Sequence, residues 1–291
     1  MGRGAVELVL AAGAEIGESP VWDPDSGELL WVDILLGLVN RFDPRTGKNR
    51  SFAIGQPVGA VACCLDGDLL LAVRDGFAVL DSTGQVRPVV DVEGSDSSAR
   101  MNDGACDARG RYWAGTTTAD RRPGAGSVYR LAADGSVDRV LTGVTLPNGI
   151  DWSPNGRTMY FTDSATGCVD AFDFDLASGK PSNRRHLIEI PEADGTPDGL
   201  TVDAAGFLWV ALYRGGSVRR YTPTGTLDLV IELPVKLVTS CAFGDADLKS
   251  LYITTATRGL DSAALVAQPG AGGLFRVRPP GVAGVLSNRF G

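Results

Sequence analysis

The stretch DAAGFLWVA, residues 203–211, joins a glycine turn to an apolar run, and this pairing recurs along the chain. The runs are LLWVD (29–33), LLLAV (69–73), RYWAG (111–115), TMYFT (158–162), FLWVA (207–211) and SLYIT (250–254). Their central residues, Trp31, Leu71, Trp113, Tyr160, Trp209 and Tyr252, are spaced by 40, 42, 47, 49 and 43 positions. A turn containing Gly or Asp precedes each run: DPDSG (23–27), LDGD (65–68), DARG (107–110), SPNG (153–156), DAAG (203–206) and, more weakly, GDADL (244–248). In the first five repeats a further strand ends in a second glycine turn: DPRTG (43–47), DSTG (81–84), AADG (132–135), LASG (176–179) and TPTG (222–225). Glycine supplies the positive φ of tight hairpins without steric cost.

Units of four short antiparallel strands at a period in the forties predict an all-β fold, a six-bladed β-propeller spanning residues 1–291 as one domain. No segment has convincing amphipathic-helix periodicity, and a two-sheet sandwich gives no reason for six equivalent units. The segment AVELVL (5–10) lies outside the repeats. It is expected to add an outer strand to the last blade, closing the ring and removing an exposed sheet edge.

Composition agrees. Glycine is 38 of 291 residues, well above the usual ~7%, and hydrophobic residues at 44% suffice for a full core. Trp22, Trp31, Trp113, Trp152 and Trp209 are expected to pack blade against blade. With 27 basic and 35 acidic side chains the net charge is -8, which disfavours a phosphate backbone and argues against nucleic acid as a partner. Residues 1–12 lack the apolar stretch of a signal peptide and no run reaches membrane-spanning length, so the cytoplasm is the default location, with no membrane partner. A monomer or weak homo-oligomer is expected. Five cysteines, Cys63, Cys64, Cys106, Cys168 and Cys241, form no C-x-x-C pair and read as core residues in a reducing compartment. The single histidine, His186, removes metal centres built from several imidazoles. Its setting, RRHLIEIP (184–191), reads as the surface of a late strand.

Equivalent repeats place equivalent positions on one face. The positions 11 to 13 residues before each strand centre hold Glu18, Val58 with Gly59, Asn102, Asn148, Asp198 and Ser240. Four repeats, contributing Glu18, Asn102, Asn148 and Asp198, therefore aim oxygen-bearing side chains at one end of the central channel. Each alone would read as a turn cap. Together, two carboxylates with amide oxygens describe a site for a hard cation, Ca²⁺, Mg²⁺ or Mn²⁺, while Zn²⁺ or Fe²⁺ could also bind. The connections TTADRRPGAGS (117–127) and ATRGLDSAALVAQPGAGG (256–273) return to the same mouth and are expected to overhang it. Arg121 and Arg122 could touch an acidic substrate or product, although an adjacent exposed pair also suits a solvated loop.

The segments GESPVWDP (17–24), RMNDGACDARGRYWAGT (100–116), LPNGIDWSPNGRTMYFTDS (146–164) and PDGLTVDAAGFLWVA (197–211) resemble the gluconolactonase, regucalcin and senescence-marker-protein family. That resemblance implies a six-bladed propeller that hydrolyses sugar lactones with one bound divalent metal, its identity open among Ca, Zn, Mn, Mg and Fe. It implies Glu18, Asn148 and Asp198 as metal ligands, Arg100 and Asn102 as contacts to substrate oxygens, and Asp103 nearby. Asp120, in the 117–127 connection, matches no family motif and is a further candidate for substrate contact. The expected chemistry is metal-assisted hydrolysis of the lactone to the aldonic acid, with Asp198 as ligand and general base. Two alternatives stay open on the same fold: an organophosphate-type hydrolase, and a calcium- or small-ligand-binding propeller without turnover.

Overall fold

Ten turn glycines that punctuate the first five repeats, five in each family of hairpins, all adopt left-handed backbone with φ between +65° and +93°. The sixth repeat lacks them and places Asp245 and Leu248 there instead, at φ +64° and +52°. Between these turns the computed structural model folds into six four-stranded antiparallel sheets among the described residues, 4–93 and 98–291. Residues 1–3 of the 1–12 segment lie outside that range.

Five blades run in simple order from the axis outwards. Blade 1, for example, orders Gly17–Asp23, Glu28–Asp33, Leu38–Asp43 and Lys48–Ala53. Blade 6 orders Val238–Gly244, Ser250–Thr255 and Leu274–Val277, then takes the N-terminal strand Glu7–Leu10 as its fourth member. Glu7 pairs with Arg276 and Leu8 with Phe275, so the ring closes as the sequence predicts.

The six apolar runs are the second strands of the blades. Every residue of Glu28–Asp33, Leu69–Val73 and Ser250–Thr255 is buried, because both faces of each sheet pack on neighbouring sheets, and continuous apolar runs replace alternation. The core accordingly divides into six clusters, one between each pair of adjacent blades. Aromatic pairs bridge these interfaces: Trp22 stacks on Tyr252 at 6.3 Å, Trp113 meets Trp152 edge-on at 5.8 Å, and Trp209 meets Phe243 at 5.6 Å. Burying one such leucine as Leu71 contributes ~1.5–3 kcal/mol.

Asp107 and Asp203, both fully buried, close their hairpins by accepting the indole N–H of Trp113 at 2.9 Å and of Trp209 at 3.0 Å. All five cysteines are free and buried, and burial pushes the Cys63 and Cys64 thiols up to about 12, which suppresses thiolate chemistry. His186 lies on the outermost strand of blade 4, exposed, with Nδ1 2.6 Å from Asp170. Among the described residues there is one short α-helix that periodicity does not reveal, Ser262–Ala267, capped by Asp261 accepting from the Ala264 N–H at 2.8 Å. Among the described residues no helix is long and apolar enough to cross a membrane.

The C-terminal segment crosses the far end of the channel. Gly284 bridges to Asp203, Phe290 to Cys64, and Asn288 Nδ2 donates to the Cys106 carbonyl at 3.2 Å. Val285, Leu286, Ser287 and Asn288 thus line the channel at the end away from the site described below.

Candidate active site

Each innermost strand carries one register shift against its neighbour: between Glu18 and Val21, Val58 and Ala60, Met101 and Gly104, Asn148 and Ile150, Pro197 and Leu200, and Val238 and Ser240. Bulges re-aim side chains, and here all six fall at the same level of the channel. Adjacent inner strands also approach closely there. A Cβ on Gly59 would stand 1.9 Å from the Asn102 carbonyl, and one on Gly149 2.5 Å from the Leu200 nitrogen. Only glycine fits, so the residues beside these glycines are drawn towards the axis.

The result is a cavity of about 310 Å³ at the open mouth, lined by Glu18, Arg100, Asn102, Asn148 and Asp198. This is near the lower end of small-ligand pockets, ~300–1,000 Å³. Four side chains selected by repeat register thus converge. Asp103, one residue further along its strand, instead faces a second cavity of about 160 Å³ deeper in the channel, with Asp151 and Ser240. In blade 6 it is Thr239, not Ser240, that lines the mouth. Asp120 lies outside the cavity wall, exposed and 3.4 Å from Arg122, whereas its neighbour Arg121 lines the mouth. Both long connections do overhang the site, through Arg121 and through Arg258 with Gly259.

A hydrogen-bonded chain fixes the amides. Arg100 Nη1 donates to Asn102 Oδ1 at 2.7 Å, Asn102 Nδ2 donates to Asn148 Oδ1 at 2.6 Å, and Asn148 Nδ2 donates to Ser164 Oγ at 2.7 Å. Ser164 in turn donates to the Pro197 carbonyl at 2.6 Å. Asn102 also donates to the Pro147 carbonyl at 2.8 Å, so both of its polar atoms are engaged within the protein and it braces Asn148. Ser164, Tyr213 and Arg214 belong to the wall as well, and none stands out in the sequence. Ser164 opens a single 3-10 turn, Ser164–Thr166, and Arg214 sits in a short hairpin before Gly215 and Gly216, where its left-handed φ of +65° is the only local mark.

Electrostatically the floor is anionic. Glu18 is buried, and desolvation with the charges of Asp198 and Asp103 pushes its carboxyl well above the ordinary range, against the Ser19 N–H that Oε2 accepts at 2.7 Å. Asp198 is raised by burial and by Asp103, and its carboxylate accepts no hydrogen bond from a described residue. Burial likewise takes Asp103 up to about 6. Arg100, half-buried and pushed down to about 10 by desolvation, lines the same cavity.

These residues fit a divalent cation. Two buried carboxylates, one without a hydrogen-bond partner among the described residues, face a cavity with an oriented amide oxygen, and such a desolvated charge demands compensation. Among the described residues no trio of Asp, Glu, His or Cys forms a metal cage. The donors are hard oxygens, two carboxylates completed by amides, as oxygen-seeking cations require.

Comparison with known proteins points the same way. Residues 16–257 match the profile of the SMP-30/gluconolactonase/LRE-like region. The chain is 39% identical to regucalcin of Xenopus laevis over 98% of both chains, and 40% identical to a protein named putative sugar lactone lactonase YvrE of Bacillus subtilis over 90% of both. It superposes on the crystal structure of a calcium-binding protein, regucalcin, from Agrobacterium tumefaciens with TM-score 0.95, 30% identity, and coverage of 99% of this chain and 98% of that one.

Proposed function

The chain belongs to the SMP-30/gluconolactonase/LRE-like family, and we propose that it hydrolyses sugar lactones of the gluconolactone type to aldonic acids with one bound divalent ion. The observation that carries this reading is the convergence of Glu18, Asn148 and Asp198 with Arg100 on one cavity. The relative named putative sugar lactone lactonase supports it.

Glu18, Asn148 and Asp198 would hold the ion. When bound it supplies Lewis-acid polarisation of the ester carbonyl and lowers the pKa of adjacent water. Asp198, whose carboxylate accepts no hydrogen bond from a described residue, takes the proton from the water oxygen that attacks the carbonyl carbon. The bond between that carbon and the ring oxygen then breaks, and the departing oxygen receives the proton back, so one lactone and one water give one hydroxy acid. Arg100 uses Nη1 on Asn102 and on the Met101 carbonyl, which leaves its other guanidinium hydrogens for substrate hydroxyls. The Asn102–Asn148–Ser164 chain keeps the Asn148 carboxamide from rotating, so its oxygen stays in place between turnovers.

An acid-release assay across a panel of aldonolactones, with and without chelator, tests the reading. Hydrolysis that chelator abolishes and added divalent ion restores is expected. Ion binding without hydrolysis of any member would replace it by the binding-propeller reading, which draws support from the relative described as a calcium-binding protein.

A further inference from the structure

The mouth of the cavity carries a charge opposite to that of its floor and of the whole chain. Arg121, Arg214 and Arg258 line it beside Arg100, in a protein of net charge -8. All three rim arginines are exposed, while Glu18, Asn148 and Asp198 are buried beneath them. Arg258 is ion-paired with Glu15. Arg121 and Arg214 have no carboxylate partner among the described residues, and Arg214 only leans over the Tyr213 ring at 5.9 Å. The neighbouring Arg122, by contrast, pairs with Asp120.

Their backbone is equally unusual. Among the described residues six non-glycine positions have positive φ, and two of them are Arg121 at +53° and Arg214 at +65°. They stand in loops of different blades, 3 and 5, yet meet at one cavity. A bulky residue in left-handed backbone is held there against its preference, and such outliers concentrate at ligand contacts. The charge count sharpens the point. A divalent ion would offset Glu18 and Asp198, the two carboxylates that line this cavity, so Arg100, Arg121 and Arg214 are left as surplus positive charge at its mouth.

We propose that the preferred substrate is a lactone bearing a second, anionic group at the carbon farthest from the ester carbonyl, a carboxylate or a phosphate ester, held by Arg121 and Arg214. This rests on the lactonase reading, which places the carbonyl at the acidic floor. The far end of a six-carbon lactone then lies at the mouth, where two guanidinium forks suit either oxyanion. The new carboxylate of the product forms at the floor, so the rim arginines serve the other end of the molecule.

The experiment compares kcat/KM for three hexonolactones of the same configuration: neutral, with a carboxylate at carbon 6, and with a phosphate at carbon 6. The wild-type protein is expected to favour at least one anionic lactone over the neutral one by about tenfold or more, an advantage that shrinks as salt is raised. Arg121→Gln and Arg214→Gln are each expected to lower that ratio by about tenfold, the neutral substrate reporting on the integrity of the same sample. Which anionic lactone leads distinguishes a carboxylate from a phosphate. Calorimetric binding of the two product acids, the dicarboxylate and the carboxylate phosphate, to protein with and without divalent ion, is expected to weaken in the same variants. A wild-type ratio near one, or ratios and acid binding unchanged in both variants, overturns the proposal while leaving lactone hydrolysis standing. No hydrolysis of any of the three overturns the reading beneath it.

Discussion

Replacing Ser164 by alanine removes one hydroxyl from the cavity wall and tests whether the site depends on an oriented amide. In the structure Ser164 Oγ accepts from Asn148 Nδ2 at 2.7 Å and donates to the Pro197 carbonyl at 2.6 Å. Alanine leaves both groups buried and unpaired. Each such orphan costs ~1–3 kcal/mol, so the variant should lose about 2–6 kcal/mol of stability in urea unfolding. The second effect is local to the ion site. With Nδ2 released, only the 2.6 Å bond from Asn102 holds the Asn148 carboxamide, and its oxygen samples other orientations. Outer partners of metal ligands typically contribute ~10–100-fold to affinity. Competition against a chromophoric chelator should therefore show the alanine variant binding divalent ion ~10–100-fold more weakly, at a temperature where it is folded. Wild-type ion affinity in a folded but destabilised S164A protein would refute the idea that this chain orients a ligand.

Three further outcomes are expected. Gly59→Ala places a Cβ where only 1.9 Å separates it from the Asn102 carbonyl, so the variant should be destabilised by ~1–3 kcal/mol or more in denaturant unfolding, as overpacked sites are. Asp151, raised to about 6 by burial despite the N–H groups of Trp152 and Val202, binds its proton more tightly folded than unfolded. The stability it contributes is full below pH ~4 and is lost as pH rises through about 6, up to about 3 kcal/mol at 1.36 kcal/mol per unit. Wild type should accordingly fall relative to Asp151→Asn across that window, and parallel stability curves would contradict it. His186→Ala, on the rim of blade 4 and 69% exposed at its side chain, should leave lactone turnover within about twofold and stability within ~1 kcal/mol, by activity assay and unfolding.

The fold is legible because its punctuation is local. Glycines such as Gly27 and Gly206 announce hairpins whatever the tertiary context, and a period in the forties then leaves few closed solutions. The closing strand at Glu7–Leu10 is legible for the same reason, since the last repeat lacks a fourth strand of its own. The site is half legible. Superposed repeats select Glu18, Asn102, Asn148 and Asp198, because the blades present the same register to one mouth. What the register cannot show is the bulge in every innermost strand, which splits successive residues between two cavities: Asn102 above, Asp103 below, Thr239 above, Ser240 below. Loop length identifies two overhanging connections, yet misses Tyr213 and Arg214, whose loop is short. Ser164 is invisible in sequence because its role lies in a hydrogen bond to the neighbouring strand. The covering of the far mouth by residues 284–290 depends on contacts to several blades at once and has no local signature.

On the lactonase reading the buried carboxylate of Asp198, which accepts no hydrogen bond from a described residue, works on a lactone beside a bound ion. Asp198→Asn retains its size and loses its basicity. Turnover of gluconolactone-type substrates, ion content and unfolding should be measured on one preparation of this variant. A folded protein whose turnover is lower by ~10²–10⁴-fold is expected. Wild-type turnover in the folded variant would contradict it.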